Sequence, residues 1–262
     1  MNDTYAAFHE FFEIINADSA ELREEVYRLR YRVYCVENNF LDLKNYTDGM
    51  EKDEYDLHSA HILLKHRSSG RFIGTVRLIL QDPLNPDKAF PLEKYMQIDP
   101  SLLDASRLPR QHVAEISRFA ILHEFSRRRL EQHNVGDNLI YKKGARSNRR
   151  RFPNIGLALV VGIVKICVEH DINHWIAVMD PALNRLLSLF GSHLNPVGPF
   201  VNYHGLRLPY HVKLIDVLSR MYHQHHDVWE LVTDYGEACP YSMSYIQPEE
   251  AQVFDNMALL NN

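Results

Sequence analysis

The chain predicts an α/β protein built on one mixed sheet with helices on both faces. Three observations carry that prediction. Two β-rich runs flank the turn cluster "RSSG" in "AHILLKHRSSGRFIGTVRLILQ", which gives an antiparallel hairpin early in the chain. Later β-rich runs alternate with helical segments, so the later connections are crossovers. The order reads helix, hairpin, strand, helix, strand, helix, strand, and the sheet is therefore mixed and mostly antiparallel. The 262 residues, 45% hydrophobic and 24% charged, suffice for a sizeable core and are read as one domain spanning 1–262.

Each element has its own signal. "AELREEVYRLRYRVYCVE" places Leu22, Val26, Leu29, Val33 and Val36 at steps of four and three, one apolar helix face capped by Asp18 or Ser19. Asn38 and Asn39 suit its end, and the stretch to Asp56 reads as a polar loop. The hairpin follows, then "QDPLNPDKAFPLEKY", a Pro-rich loop, and "HVAEISRFAIL", a strand. "IGLALVVGIVKICVEH" is apolar nearly all round, and its Ala/Leu content favours a buried helix. "HWIAVM" is a short strand. "DPALNRLLSLFG" is a helix opened by Asp180 and Pro181 and closed by Gly191. "GPFVNYHGLRLPYHVKLIDV" holds strands around a His-Gly turn. "DVLSRMYHQHHDVWELVTDY" reads as one final helix, a C-terminal helical extension from about 214.

Composition excludes several function classes. No window reaches the roughly 18 apolar residues of a membrane span, so no integral membrane association is expected. "MNDTYAAFHEFF" lacks a basic segment followed by an apolar one, which argues against a signal peptide and for a cytoplasmic protein. Cys35, Cys167 and Cys239 are far apart and read as reduced thiols. A net charge of −5 argues against generic nucleic-acid binding. That average hides a basic island. Between Arg127 and Arg151 nine Lys/Arg face only Glu131 and Asp137, so this stretch is +7 and the rest −12. The island is read as an insertion at about 123–151 that attracts a polyanionic partner. His223, His225, His226 and Asp227 are dense but lack a metal motif, so no metal is expected and a polar helix face is the reading. No phosphate-binding Walker loop, dinucleotide glycine fingerprint or Gly-x-Ser-x-Gly elbow appears.

The chemistry is sought in "VAEISRFAI". Strand alternation puts Val113, Glu115, Ser117 and Phe119 on one face and Ala114, Ile116, Arg118 and Ala120 on the other. An acid in mid-strand is costly if buried unpaired, so Glu115 either faces a wet cleft or meets a cation. Arg77, equally central in "TVRLIL", is the candidate partner. A solvent-facing sheet surface and a plain buried ion pair satisfy the same pattern.

A set of motifs narrows this. "RLRYRVYCVENNF" carries Arg30, Tyr34 and Phe40; "MEKDEYD" carries Asp53 and Asp56; "VRLIL" carries Arg77; "FPLEKY" carries Phe90; "EISRFAI" carries Glu115, Ser117, Arg118 and Phe119. Taken in order over about a hundred residues, they resemble the signature of bacterial autoinducer synthases. "NYHGLRLPYHVKL" is similar to a related branch, the N-acyl amino acid synthases and the acyltransferases linked to exosortase/PEP-CTERM systems. Phe40 stands where a tryptophan is usual and Tyr34 where a phenylalanine is usual. The resemblance covers Leu22 to Ile121 closely and Phe152 to Val212 more loosely.

The resemblance implies a GNAT-like acyltransferase fold. It also implies transfer of a long acyl chain from acyl carrier protein to the amine of an amino acid or related acceptor. An alternative acceptor is S-adenosylmethionine, giving a homoserine lactone. A non-catalytic relative that binds acyl carrier protein or another anionic partner is the rival from a different class. Glu115, Ser117 and Arg118 are then the catalytic candidates, with Glu115 as general base. A strand bulge would supply a backbone amide for the oxyanion and turn Arg118 toward Glu115. Arg30, Tyr34, Phe40, Asp53, Asp56, Arg77, Phe90 and Phe119 are the substrate-binding candidates. Trp175, Ile176, Val178, Leu186, Leu187, Leu189 and Phe190 are read as core that lends a few walls to an acyl slot. The helix start at "FPNIG" can take a phosphate. "RRRFPNIGLA", however, matches poorly the Arg/Gln-x-x-Gly-x-Gly/Ala signature of coenzyme A binding. No tightly bound cofactor is therefore expected, and the acyl-phosphopantetheine of acyl carrier protein is favoured as donor over acyl-CoA. Arg127, Arg128, Lys142, Lys143, Arg149, Arg150 and Arg151 are the candidate docking surface for that acidic carrier.

Overall fold

A computed structural model of the chain describes residues 2–125, 154–202 and 205–240. Helix α1 (Asp3–Phe11) leads into strand β1 (Phe12–Asn16), followed by α2 (Ala20–Tyr31) and the hairpin of β2 (Ser59–His66) and β3 (Arg71–Ile79). A short helix α3 (Pro91–Tyr95) precedes β4 (Val113–Ile121). Then come α4 (Ile155–Glu169), β5 (His174–Met179), α5 (Pro181–Ser188), and the short strands β6 (Asn195–Pro196) and β7 (Val201–Asn202). Strand β8 (Leu206–Lys213) and helices α6 (Leu214–Gln224) and α7 (His226–Thr233) complete the order. The strands run β1-β2-β3-β4-β5-β8-β6 across one mixed sheet, with β7 against β8. Among the described strands only β4 and β5 pair in parallel, with α4 between them in the chain.

The two faces of the sheet are chemically different. Ile62 and Val76 are register partners that face α4, where Gly162 sits so close that an added Cβ would stand 2.8 Å from Ile62 Cγ2. His61 and Arg77, one residue earlier and later on the paired strands, face the other way, and the His61 ring meets Tyr27 of α2. Helix α4 therefore seals an apolar face, and α2 covers a face that carries charge. The α4 side holds Ile62, Leu64, Val76 and Leu78 against Ala158, Leu159 and Ile163, all nearly or fully buried. Each such aliphatic side chain contributes about 1.5–3 kcal/mol. Helix α7 packs on α4 and α1, and Thr4 Oγ1 donates to Asp227 Oδ2 at 2.6 Å.

Several local expectations are corrected. The stretch to Asp56 is not a solvated polar loop, because Glu51 and Asp56 are buried there. The Pro-rich segment contains α3, where Pro91 supplies a preset φ at the first position and Glu93 accepts the Phe90 amide at 2.8 Å. The last helix is two, broken at His225, whose φ of −143° leaves the helical region. Ser19 is the cap of α2, accepting from the Leu22 amide, but α2 runs on into a π-helix, Arg32–Glu37. The β4 alternation is interrupted by a bulge. Arg77 pairs Ser117 and Thr75 pairs Ala120, so two β4 residues oppose one on β3. Phe119 thereby leaves the Glu115 face and lies beside the start of α4, 4.0 Å from where a Gly156 Cβ would stand.

Candidate active site

The site begins with a compact ion network. Helix α2 turns Arg30 inward on its buried face, with no exposed surface. The segment after the π-helix brings Glu51, also fully buried, against it. A 3-10 turn, Glu54–His58, is locked by its own acids. Asp53 accepts the Tyr55 amide at 2.9 Å, and Asp56 Oδ2 accepts the Asp53 amide at 2.7 Å. Asp56 Oδ1 then takes Arg30 Nη1 and Arg77 Nη1, each at 2.7 Å. Arg77 also donates Nη1 to Asp53 Oδ1 at 2.6 Å and Nε to Ser117 Oγ at 2.9 Å.

Arg118 closes the network from the bulge. Its φ of +51° is a left-handed conformation that L residues adopt at a cost, and it swings the side chain out of strand alternation. The guanidinium donates to Glu51 Oε1 at 2.9 Å and Asp53 Oδ2 at 3.0 Å, and lies over the Tyr34 ring at 5.8 Å. The bulge thus turns Arg118 toward the acidic segment, and its hydrogen bonds go to Glu51 and Asp53 rather than to Glu115. Three arginines and three acids balance in charge. Burial alone would lift the Asp56 carboxyl, yet Arg30 and Arg77 hold it far below the usual range. Burial likewise opposes the Arg118 charge, but Glu51 and Asp53 raise its pKa well above the ordinary arginine value. The exposed end of the network is Arg118 with Asp53, whose side chains are 29% and 28% accessible.

Glu115 sits apart from that network. It occupies one row across the sheet with Ile79 of β3 and Ile176 of β5, and it is 4% exposed. Its Oε2 accepts the Leu92 amide of α3 at 2.8 Å. Arg77 is not its hydrogen-bonding partner but acts on it through space. Burial pushes the Glu115 carboxyl up to about 7, against the pull of the Leu92 amide and the Arg77 charge. Apolar neighbours Tyr55, Phe90, Leu92, Met96 and Val113 form a small core with Ile79 and Ile176 on this side. Immediately beyond Glu115 the parallel ladder ends, at Ile116 and Ala177. Among the described residues, the pairing of β4 with β5 does not extend to 117–121, so the two strands part beside the buried carboxyl.

The other expected residues fall as follows. Ser117 holds the Arg77 side chain. Tyr34 is partly buried under Arg118, whereas Phe40, tied to Tyr34 only through its amide at 2.8 Å, is 42% exposed. Phe90 is buried in the small core, with the Arg110 guanidinium over its ring at 5.1 Å. Ile176 faces that core, while Trp175 faces α4 and donates to Cys167 Sγ at 3.0 Å. Leu186 and Leu189 are exposed. Asn154 caps α4, its Oδ1 accepting from Gly156 at 2.8 Å and Leu157 at 3.3 Å. Arg127, Arg128, Lys142, Lys143, Arg149, Arg150 and Arg151 lie outside the described residues. His226 stacks on Trp229, and among the described residues no group of three His, Cys, Asp or Glu is placed to hold a metal ion.

Two residues of the site escape sequence reasoning. Glu51 stands inside "MEKDEYD" as a further acid, two residues before Asp53, and that spacing was its only signal. His61 is 3% exposed and lies opposite Arg77, a position that the hairpin register alone reveals.

The same fold recurs among known proteins. The profile of the Acetyltransferase (GNAT) domain matches residues 29–135. No curated protein matches the sequence. Among solved structures, the CoA-dependent acyl-homoserine lactone synthase BjaI, with SAM and isopentyl-CoA, aligns over 86% of this chain and 88% of its own, at 17% identity and TM-score 0.55. The acyl-homoserine lactone synthase LasI aligns over 81% and 94%, at 18% identity and TM-score 0.53. FeeM, an N-acyl amino acid synthase from uncultured soil microbes, aligns over 80% and 93%, at 14% identity and TM-score 0.52. The fold is that of the GNAT acyltransferases, an α/β fold with a mixed sheet flanked by helices. Acyl-homoserine lactone synthases and an N-acyl amino acid synthase are among the solved structures that share this fold.

Proposed function

We propose that the chain is an N-acyltransferase that moves a long fatty acyl group from acyl carrier protein to the amine of an amino acid or a related acceptor. The observation that carries this reading is Glu115: a buried carboxyl held near 7, beside the edge where β4 parts from β5. An ammonium group cannot attack a carbonyl until it loses a proton, and a carboxylate near neutrality can take it. The amine nitrogen then bonds the thioester carbon, and a backbone amide of 117–121, beyond the end of the β5 pairing, receives the oxyanion. The carbon–sulfur bond breaks, the nitrogen gives up its second proton to solvent, and the proton held by Glu115 passes to the leaving thiolate. Arg118 and Asp53, at the exposed end of the network, take the acceptor's carboxylate and ammonium before transfer.

The carrier-bound donor is supported by two features. The Gly156 and Leu157 amides already serve Asn154, so they are not free for the diphosphate of coenzyme A. The +7 island suits an acidic carrier. Likeness to the PEP-CTERM-associated branch favours an amino acid acceptor over S-adenosylmethionine. The reaction is placed in the cytoplasm, and no helix among the described residues is long and apolar enough to cross a membrane.

The test supplies acyl carrier protein or coenzyme A charged with long acyl groups, together with pooled amino acids or S-adenosylmethionine, and reads products by mass. An acyl amino acid formed from the carrier supports the proposal. A lactone would assign the chain to the homoserine-lactone reaction, and carrier binding without any product would make it a binding protein. Glu115→Gln is expected to keep the fold and carrier binding while losing about 10²–10⁴-fold in turnover. Turnover of the parent should rise with pH through about 7, as Glu115 ionises. Undiminished turnover in the variant would remove Glu115 from the base role.

A further inference from the structure

His61 takes no part in the mechanism above, yet it stands at the centre of the network. Its ring meets Tyr27 edge-on at 6.1 Å, and the Arg30 guanidinium lies over the same Tyr27 ring at 5.5 Å. His61 Nε2 is 3.7 Å from Asp56 Oδ1. Both ring nitrogens and Arg30 Nη2 are buried and find no hydrogen-bond partner among the described residues. Asp56 has little left to offer them. Its Oδ1 accepts from Arg30 and Arg77, and its Oδ2 accepts the Asp53 amide.

We infer that His61 is a positioning residue for this site: neutral, it leaves Asp56 to hold Arg30 and Arg77 together; protonated, it draws the Asp56 carboxylate from them and releases the acidic segment. The charged and titratable groups around it are Asp56 from the 3-10 turn, Tyr27, Arg30 and Arg23 from α2, and Arg77 from β3. On the β1 side the contact is the Ala17 amide donating to the His61 carbonyl at 2.9 Å. A proton taken from solvent makes His61 a fourth cation where three already balance three acids. Because Asp56 Oδ1 is doubly engaged, the new charge finds a partner only by displacing an arginine. Burial pushes the imidazole down to about 4, and the arginines push the same way against Asp56. In the unfolded chain the imidazole has its ordinary value of 6.5, so this stability is whole above that pH and is lost as pH falls toward 4.

The geometry is independent of the reaction; only its consequence for turnover rests on the proposed function. The experiment measures amide-exchange protection at Asp53, whose N–H is held by Asp56, in the parent, His61→Gln and His61→Phe between about pH 7 and about pH 2.5. The His61 imidazole nitrogens are followed by NMR in the parent. Protection in the parent is expected to fall with the same midpoint as His61 protonation. Both variants should retain it to a pH lower by ~1 unit or more. Where turnover is measurable, its rise through about 7, set by Glu115, should stay in place in both variants. Loss of protection at one common pH in all three proteins would overturn the inference. So would release of the Asp53 amide in the parent while His61 is still neutral, a result that needs no folded variant. Absence of turnover with every donor and acceptor would remove the transferase reading and leave the exchange result standing.

Discussion

Arg118 is the residue at which backbone and chemistry meet. A left-handed φ costs an L side chain about 1–2 kcal/mol, and here it is accepted to aim a guanidinium at Glu51 and Asp53. Two substitutions separate the parts. Arg118→Ala loses the ion pairs and keeps the strain, whereas Arg118→Gly loses the pairs and relieves it. The glycine variant should therefore be the more stable by about 1 kcal/mol in urea unfolding, with both below the parent. Equal stability would place the strain elsewhere. At this scale strand pattern was informative about Arg77 and Glu115, which sit in mid-strand where apolar residues are usual, whereas Arg30, Asp53 and Asp56 stood out only through the motif resemblance. The pattern was silent about partners. Arg77 and Glu115 are both central on neighbouring strands, yet register sets Arg77 opposite Ser117 and Glu115 opposite Ile79. No glycine marks the bulge, so nothing in "EISRFAI" announced that Phe119 would change faces.

Among the elements, those with a strong period or a clear stop were legible. The hairpin, β4, α4, β5 and α5 lie where patterning and Asp-Pro or Ser caps place them. The first helix and strand were not, because "FFEIIN" is too short to show alternation and gains its place only by pairing with β2. The π-helix is also invisible to periodicity. Its extra residue per turn is fixed by Asn38, whose amide and side chain both donate to the Val33 carbonyl, at 3.2 and 2.7 Å. The contact of α4 with the sheet gives a prediction at this scale. A methyl group at Gly162 would stand 2.8 Å from Ile62 Cγ2 in a sealed apolar layer. Gly162→Ala should cost about 1–3 kcal/mol through overpacking, despite the better helix propensity of alanine. Paired with Ile62→Val it should cost less, and a denaturant series on the two single variants and the double variant checks the coupling.

For the molecule as a whole, the buried titratable groups give stability a direction in pH. Burial pushes His61, His174 and His211 each down to about 4 from an ordinary 6.5. Their contribution is complete above about 6.5 and declines as pH falls toward 4. Asp53, Asp56 and Glu51 are held below their ordinary values, so their contribution declines further into acid. Glu115 runs the other way, since its raised pKa favours the folded state below about 7. Three histidines against one carboxyl should win. The urea midpoint is expected to drop between about pH 6.5 and pH 4, and Glu115→Gln should steepen that drop by removing the opposing slope. A midpoint that rises on acidification would refute the balance.

The closure of three cations on three anions also bears on how this sequence can drift. Losing one member alone strands its neighbour's charge in a space with little water, a defect of about 3–5 kcal/mol that would consume much of a typical domain's margin. Concerted replacement by matched apolar residues escapes that defect. Arg30, Glu51, Asp53, Asp56, Arg77 and Arg118 are therefore expected to be inherited as a block, while the layer beneath α4 can diverge one methyl group at a time.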